Sequence, residues 1–233
     1  MRDRARPKDA RDSRPLRFAL LVSVVVALLG LQACGTLYAT APNPRGESVM
    51  LLGHDPVSYF TDSKPVRGSR DITVALPERT YYFASWENKR LFLSNPAKYE
   101  PQYGGFCGSG AAYAVKLGSD PTAWQIVDGR LFIFGDILGH EMWKLDIPGN
   151  IARGDKFWPE AKDKGWRYQS LKRYARKVDG YQTGSQLMAQ WREKNPAKEL
   201  KYDPGTMYQN IVAKYPGWRS AEGFGQAKLG YAD

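Results

Sequence analysis

The order of apolar and polar positions divides the chain before any motif is considered. An uncharged run from Phe18 to Leu31 follows an arginine-rich start, and a different regime begins near Gly53. There, His54-Asp55-Pro56-Val57-Ser58-Tyr59-Phe60 reads as a short strand that leads into a turn-rich loop over 61–70. Asp71 to Leu76 and Thr80 to Ala84 are rich in β-favouring residues and flank Pro77-Glu78-Arg79, which predicts a hairpin. Ser85 stands where an N-cap is wanted, ahead of an amphipathic helix from Trp86 to Leu93 that stops near Asn95-Pro96. A further helical turn is expected from Ala97 to Tyr99. Ala123 to Val127 and Arg130 to Phe134 flank Asp128-Gly129, the pair that favours a type I′ turn. Asp136 caps a helix running through Met142 and Trp143; Pro148-Gly149 breaks it before a helical stretch from Asn150 to Lys164. Beyond Gly165 short helices are expected around Ser170 to Lys177, Ser185 to Lys194 and Thr206 to Lys214. Interleaved strands and helices predict an α+β class: a small antiparallel sheet of hairpins with short helices, followed by a mostly helical C-terminal extension.

The start of the chain has the layout of a signal peptide, with Arg2, Arg4, Arg6, Lys8, Arg11, Arg14 and Arg17 ahead of the apolar run. That run is short of the roughly 20 residues that span a bilayer comfortably. An uncleaved anchor helix is therefore the weaker reading. Leu31-Gln32-Ala33-Cys34 resembles a lipobox, in which cleavage before the cysteine is followed by its acylation with palmitate and related chains. The resemblance implies a signal peptide over 1–33 and a mature protein anchored through Cys34. Gly35 follows the cysteine where Asp would favour inner-membrane retention, so the outer membrane is favoured over the inner. Residues 34–50, with Pro42 and Pro44, read as a tether.

Composition then narrows the chemistry. The chain has 233 residues and two cysteines. With Cys34 assigned to lipid, Cys107 has no intrachain disulfide partner. The net charge of +10 is uneven: seven basic and three acidic residues lie in 1–33, fifteen of each in 34–165, and twelve basic against six acidic in 166–233. All excess charge of the mature chain thus sits in its C-terminal extension. Outside the cytoplasm its anionic partners are phospholipid head groups, cell-wall polymers or acidic envelope proteins rather than nucleic acid. Arg167, Lys172, Arg173, Arg176, Lys177, Trp218 and Arg219 are the candidate partner-binding residues. A solvated basic surface is the plainer alternative.

Cys107 lies in the glycine-rich stretch Gly104-Gly105-Phe106-Cys107-Gly108, where backbone N–H groups could lower the pKa of its thiol and make it a nucleophile or soft-metal ligand. The alternative is a small buried residue packed under the turn. His54 could serve as its base or co-ligand, giving a candidate ligand or transition-metal pair of Cys107 and His54. Asp55, ahead of Pro56, reads as a turn former. His140 reads as a surface or boundary histidine. No Ser-His-Asp order, P-loop or dinucleotide fingerprint is present.

Gly53 to Phe60, Tyr81-Tyr82-Phe83-Ala84-Ser85, Phe92 to Tyr99 and Pro101 to Cys107 together resemble the YHS-domain family. Ala123-Trp124 through Asp128-Gly129, and Trp143 through Asp146-Ile147-Pro148-Gly149-Asn150-Ile151, resemble its exported bacterial branch. The resemblance runs from about Leu51 to Pro159 and places a YHS-like domain over 51–165, with the extension over 166–233. Metal-associated relatives carry cysteines at the strand-to-helix turn that corresponds to Ala84 and Asn88, so that ligand set is absent here. His54 also stands where the branch usually has Tyr. Some exported relatives are selenoproteins, which implies redox chemistry that only Cys107 could inherit.

These readings converge on a membrane-anchored periplasmic lipoprotein whose YHS-like domain binds a ligand, metal or partner near Gly104 to Gly108, docked through a basic aromatic tail. A thiol redox protein using Cys107 and a structural subunit of an envelope complex are the alternatives.

Overall fold

The computed structural model describes residues 37–43, 45–164, 178 and 180–199. It is a mixed α+β domain with a four-stranded sheet, a two-stranded hairpin and short helices, followed by a longer helical region. The strands β1 (Thr40–Pro42) and β2 (Ser48–Met50) pair antiparallel, as do β3 (Ser69–Leu76) and β4 (Arg79–Phe83). Val49 of β2 pairs with Thr80 of β4 in parallel, giving the order β1-β2-β4-β3. The expected all-antiparallel sheet is thus corrected to a mixed one.

The parallel pairing comes from a segment expected to be a tether. Residues 39–50 instead form a hairpin, and Ala39, Ala41, Val49 and Met50 are buried in it. Its turn is tied by Asn43, whose Oδ1 accepts from the backbone N–H of Arg45 and of Glu47 at 2.9 Å each. The Asn43 amide also donates to the Tyr82 hydroxyl at 2.6 Å, fastening the hairpin to β4. Pro42, which suggests a linker in the sequence, is tolerated on the edge strand β1, where an N–H need not enter the ladder.

A second correction falls on Val57 to Phe60. The run forms a helical turn, α1 (Ser58–Thr61), rather than a strand. Asp55 causes this: its Oδ1 accepts from Val57 N at 2.8 Å, and its carbonyl accepts from Ser58 Oγ at 2.8 Å, which curls the backbone after Pro56.

The remaining elements follow their local signals. Ser85 accepts from Asn88 N at the start of α2 (Trp86–Ser94), and Pro96 opens the single turn α3 (Pro96–Tyr99). After the short turn α4 (Gly108–Ala111), β5 (Asp120–Val127) and β6 (Arg130–Phe134) are joined by Asp128 at φ +50 and Gly129 at φ +73, as a type I′ turn requires. Asp136 caps α5 (Ile137–Trp143), accepting from Gly139 N at 2.6 Å. The next helix, α6 (Ile147–Ala161), starts earlier than Asn150, because Pro148 stands in its first turn, where a missing N–H costs nothing. Asp146 caps it through Gly149 N.

Leu131, Phe132, Ile133 and Phe134 of β6 are all fully buried. Leu131 and Ile133 face a core of Met50, Val57, Tyr59, Tyr81, Phe83 and Phe92. Phe132 and Phe134 face a second core with Tyr103, Cys107 and Trp143. One strand covered on both sides explains an apolar run without alternation. In the extension, α7 (Gly184–Lys194) carries a capping box at Thr183 and Gln186, and Met188 and Trp191 pack on Leu138 and Met142 of α5. Trp191 Nε1 donates to Glu141 at 3.2 Å. This part of the extension therefore packs back on the domain. The expected helices around 170–177 and 206–214 lie outside the described residues. No helix among the described residues is long and apolar enough to cross a membrane.

Candidate functional site

Cys107 opens α4 and belongs to the second core. Its amide donates to the Leu117 carbonyl at 3.0 Å, and its strand-like backbone bridges to Ile133 of β6. Only 3% of the residue is exposed. Burial pushes its thiol up from the ordinary range, and the carboxylate of Asp136 pushes it further; backbone N–H groups of Gly110, Gly135 and Ser109 pull against this without overcoming it. The glycine-rich turn does bring N–H donors to the sulfur, as expected. Desolvation nevertheless wins, so the geometry is that of a packed core thiol rather than an activated one.

His54 sits elsewhere. Its Nδ1–H donates to the Leu51 carbonyl at 2.9 Å, its backbone bridges to Arg67, and burial followed by Arg67 lowers its pKa. No hydrogen bond or electrostatic interaction joins it to Cys107. A soft metal wants about four N or S ligands in a closed site. Among the described residues, no three His, Cys, Asp or Glu side chains converge on one point. His54 and Cys107 share no hydrogen bond, and neither stands in a group of three such side chains among the described residues.

Asp55 is wholly buried and serves as a joint. Its Oδ2 accepts from Ala84 N at 2.8 Å and from Asn88 Nδ2 at 2.7 Å, linking the Asp-Pro-Val turn to the β4–α2 junction. These hydrogen bonds close the junction between β4 and α2. His140 stacks on Phe134 at 4.4 Å and shares a 2.7 Å hydrogen bond with Gln125. Burial and then Lys144 lower its pKa to about 4, so it is neutral at physiological pH.

The constellation missed from sequence lies beside the glycine loop. Tyr103, at φ +55, and Gly104 and Gly105, at φ +62 and +81, form a left-handed turn over which the Tyr103 side chain reaches α6. Its hydroxyl donates to Asp155 Oδ1 at 3.1 Å and packs on Gly154, where a Cβ would collide with it. Arg130 of β6 holds Asp155 bidentately at 2.9 and 2.6 Å and donates through Nε to Gln102 at 3.0 Å. Arg130 lowers the pKa of Asp155, while burial, then the neighbouring carboxylate, raises that of Tyr103. Trp158 lies 5.8 Å from the Tyr103 ring and 6.0 Å from Phe106. Together Gln102, Tyr103, Asp155, Trp158, Pro101 and Pro159 line an open groove of about 330 Å³, with Ala97 and Glu100 at its edge. An aromatic wall beside paired, planar polar groups can bind by stacking and hydrogen bonding; it presents no nucleophile with a base.

Tyr103 is one of seven described non-glycine residues at positive φ, and its conformation, at a cost of about 1 to 2 kcal/mol, turns the chain so that its ring reaches α6. Local sequence carried no sign of this network beyond Tyr103-Gly104-Gly105, since Arg130 and Asp155 come from distant elements. Cys34 and the basic candidates Arg167, Lys172, Arg173, Arg176, Lys177, Trp218 and Arg219 lie outside the described residues. No protein-family model, curated protein or solved structure matches this chain.

Proposed function

We propose that this chain is an exported lipoprotein, acylated on Cys34, that holds a YHS-like domain at the periplasmic face of the outer membrane as a binding module. The groove beside Gly104 to Gly108 receives the ligand or partner, and the basic extension docks the module on an anionic envelope surface. The observation that carries the binding reading is the Tyr103–Asp155–Arg130–Gln102 network. It lines an aromatic-walled groove beside the loop singled out in the sequence. A redox role for Cys107 has less support, because its thiol is buried and its pKa raised. The packing of α7 on α5 ties the described part of the extension to the domain.

The test is retention of the soluble chain from Gly35 on isolated envelopes. Trp158→Ala and Gln102→Ala should each weaken retention, and charge removal at Arg167, Lys172, Arg173, Arg176 and Lys177 should weaken it in a salt-dependent way. Retention unchanged in both sets would refute the reading.

A further inference from the structure

Leu37 lies three residues beyond Cys34 and is already seated on the domain. Its carbonyl oxygen lies against Gly104, where an added Cβ would collide with it, and Ala39 N donates to the Gly104 carbonyl at 2.8 Å. The same Cβ position would lie 3.4 Å from the Trp158 ring. The chain leading from the cysteine therefore enters the fold at the rim of the Tyr103–Trp158 groove. Consecutive Cα atoms are about 3.8 Å apart, so three peptide steps reach at most about 11 Å. The headgroup layer on each side of a bilayer takes up roughly 6 Å. With the cysteine side chain and its glyceryl link extended, a lipid on Cys34 would still hold Leu37, beside the groove, within about 10 Å of the headgroups.

We infer that the groove rim, formed by Trp158 with Pro159 on α6 and Ala97 on α3, is the face that rests on the phospholipid surface. This inference depends on the acylation of Cys34 proposed above. Trp and Tyr favour the membrane–water interface, where an apolar ring and a polar edge are both accommodated. The acidic groups of the groove do not oppose a headgroup phosphate, because Asp155 is held by Arg130 and Glu100 by Arg79. Exposed Lys156, Lys162 and Lys164 stand against exposed Glu160 and Asp163 on the same stretch, and exposed Lys98 follows Ala97, a small positive excess. The tether length and the aromatic character of the rim act without net charge, so the contact persists on neutral lipid and in high salt. A ligand reaching the groove approaches along the membrane plane.

The experiment uses the acylated full-length mature chain bound to phosphatidylcholine vesicles, spin-labelled at Ala97→Cys, Pro159→Cys or Arg45→Cys. All three positions are exposed, whereas Cys107 is buried and stays unlabelled. Strand β1 carries the chain roughly 10 Å away from Ala39 before the turn at Arg45. Labels at 97 and 159 should collide with a headgroup-bound nickel chelate several-fold more often than the label at 45, equally at low and high salt. Inserting twenty Gly/Ser residues after Gly35 should abolish the difference while leaving vesicle binding intact. Equal collision rates at all three positions on vesicle-bound, acylated protein would overturn the inference and leave the anchor standing. A chain that carries no lipid and does not bind vesicles would overturn the anchor itself, and the inference with it.

Discussion

Replacing Asp55 tests whether the Asp-Pro-Val turn is a structural joint or a piece of chemistry. The buried carboxylate accepts from Val57 N, Ala84 N and Asn88 Nδ2 at 2.7 to 2.8 Å, with no cation among these partners. Hydrogen bonds to a charged group are worth about 1.5 to 3 kcal/mol each, and a buried donor left without a partner costs about 1 to 3 kcal/mol. Some of this is recovered because the carboxylate no longer has to be desolvated, and the three bonds are not additive. Asp55→Ala should therefore cost about 3 to 5 kcal/mol. Asp55→Asn keeps the shape but turns an NH2 towards one set of donors, and should cost about 2 to 3 kcal/mol. Asn88→Ala, which removes one bond, should cost about 1 to 2 kcal/mol, and the Asp55/Asn88 double mutant should lose less than the sum. Urea unfolding of the chain from Gly35, followed by tryptophan fluorescence, measures all four. A loss below about 1 kcal/mol for Asp55→Ala would refute the reasoning, since no buried joint of this kind is so cheap to remove.

Other consequences are as direct. Gly104→Ala forces a Cβ onto the Leu37 carbonyl at φ +62, so it should cost about 2 to 4 kcal/mol and free the first strand for hydrogen exchange. Cys107 should react with a disulfide reagent at least about 100-fold more slowly in the native chain than in urea, because reaction must wait for opening of the core; equal rates would contradict its burial. His140 has a folded-state pKa of about 4 against an ordinary value of 6.5. Below pH 6.5 the unfolded chain therefore binds a proton that the fold refuses, and stability falls as pH drops from 6.5 towards 4. Discounted for its partial exposure, this amounts to about 1 to 2 kcal/mol. His140→Gln should flatten that part of the stability–pH curve, and an NMR titration of His140 near 6.5 would rule the effect out.

What was legible in the sequence was local. Asp128-Gly129, Ser85 and Asp136 each act on backbone within three residues, and each does in the fold what its side chain chemistry predicts. The two-sided burial of Leu131 to Phe134 came instead from elements packing on both faces of β6. The β1–β2 hairpin was hidden because its strands are three residues long and its pairing with β4 is parallel and distant in sequence. The helical turn after Pro56 was hidden for the opposite reason: β-favouring Val57, Tyr59 and Phe60 were overruled by the hydrogen bonds of Asp55. At the site, the glycine loop was found with two readings of Cys107 open, and the fold gives the buried one. Donors around Cys107 can be inferred from glycines, whereas the desolvation that outweighs them depends on Phe132, Phe134 and Trp143 arriving from other elements. The Tyr103–Asp155–Arg130 network joins residues up to 52 apart and exists only in the fold.

The central claim is that Cys34 carries the anchor that holds this binding domain at a membrane. The most direct measurement is mass spectrometry of the N-terminal peptide of the chain purified from an expressing bacterium's membranes. The account predicts a peptide that begins at Cys34 and carries acyl chains, with Cys34→Ser leaving an unacylated chain with the leader uncleaved. A peptide that begins elsewhere, or a Cys34 with an unmodified thiol, would contradict it.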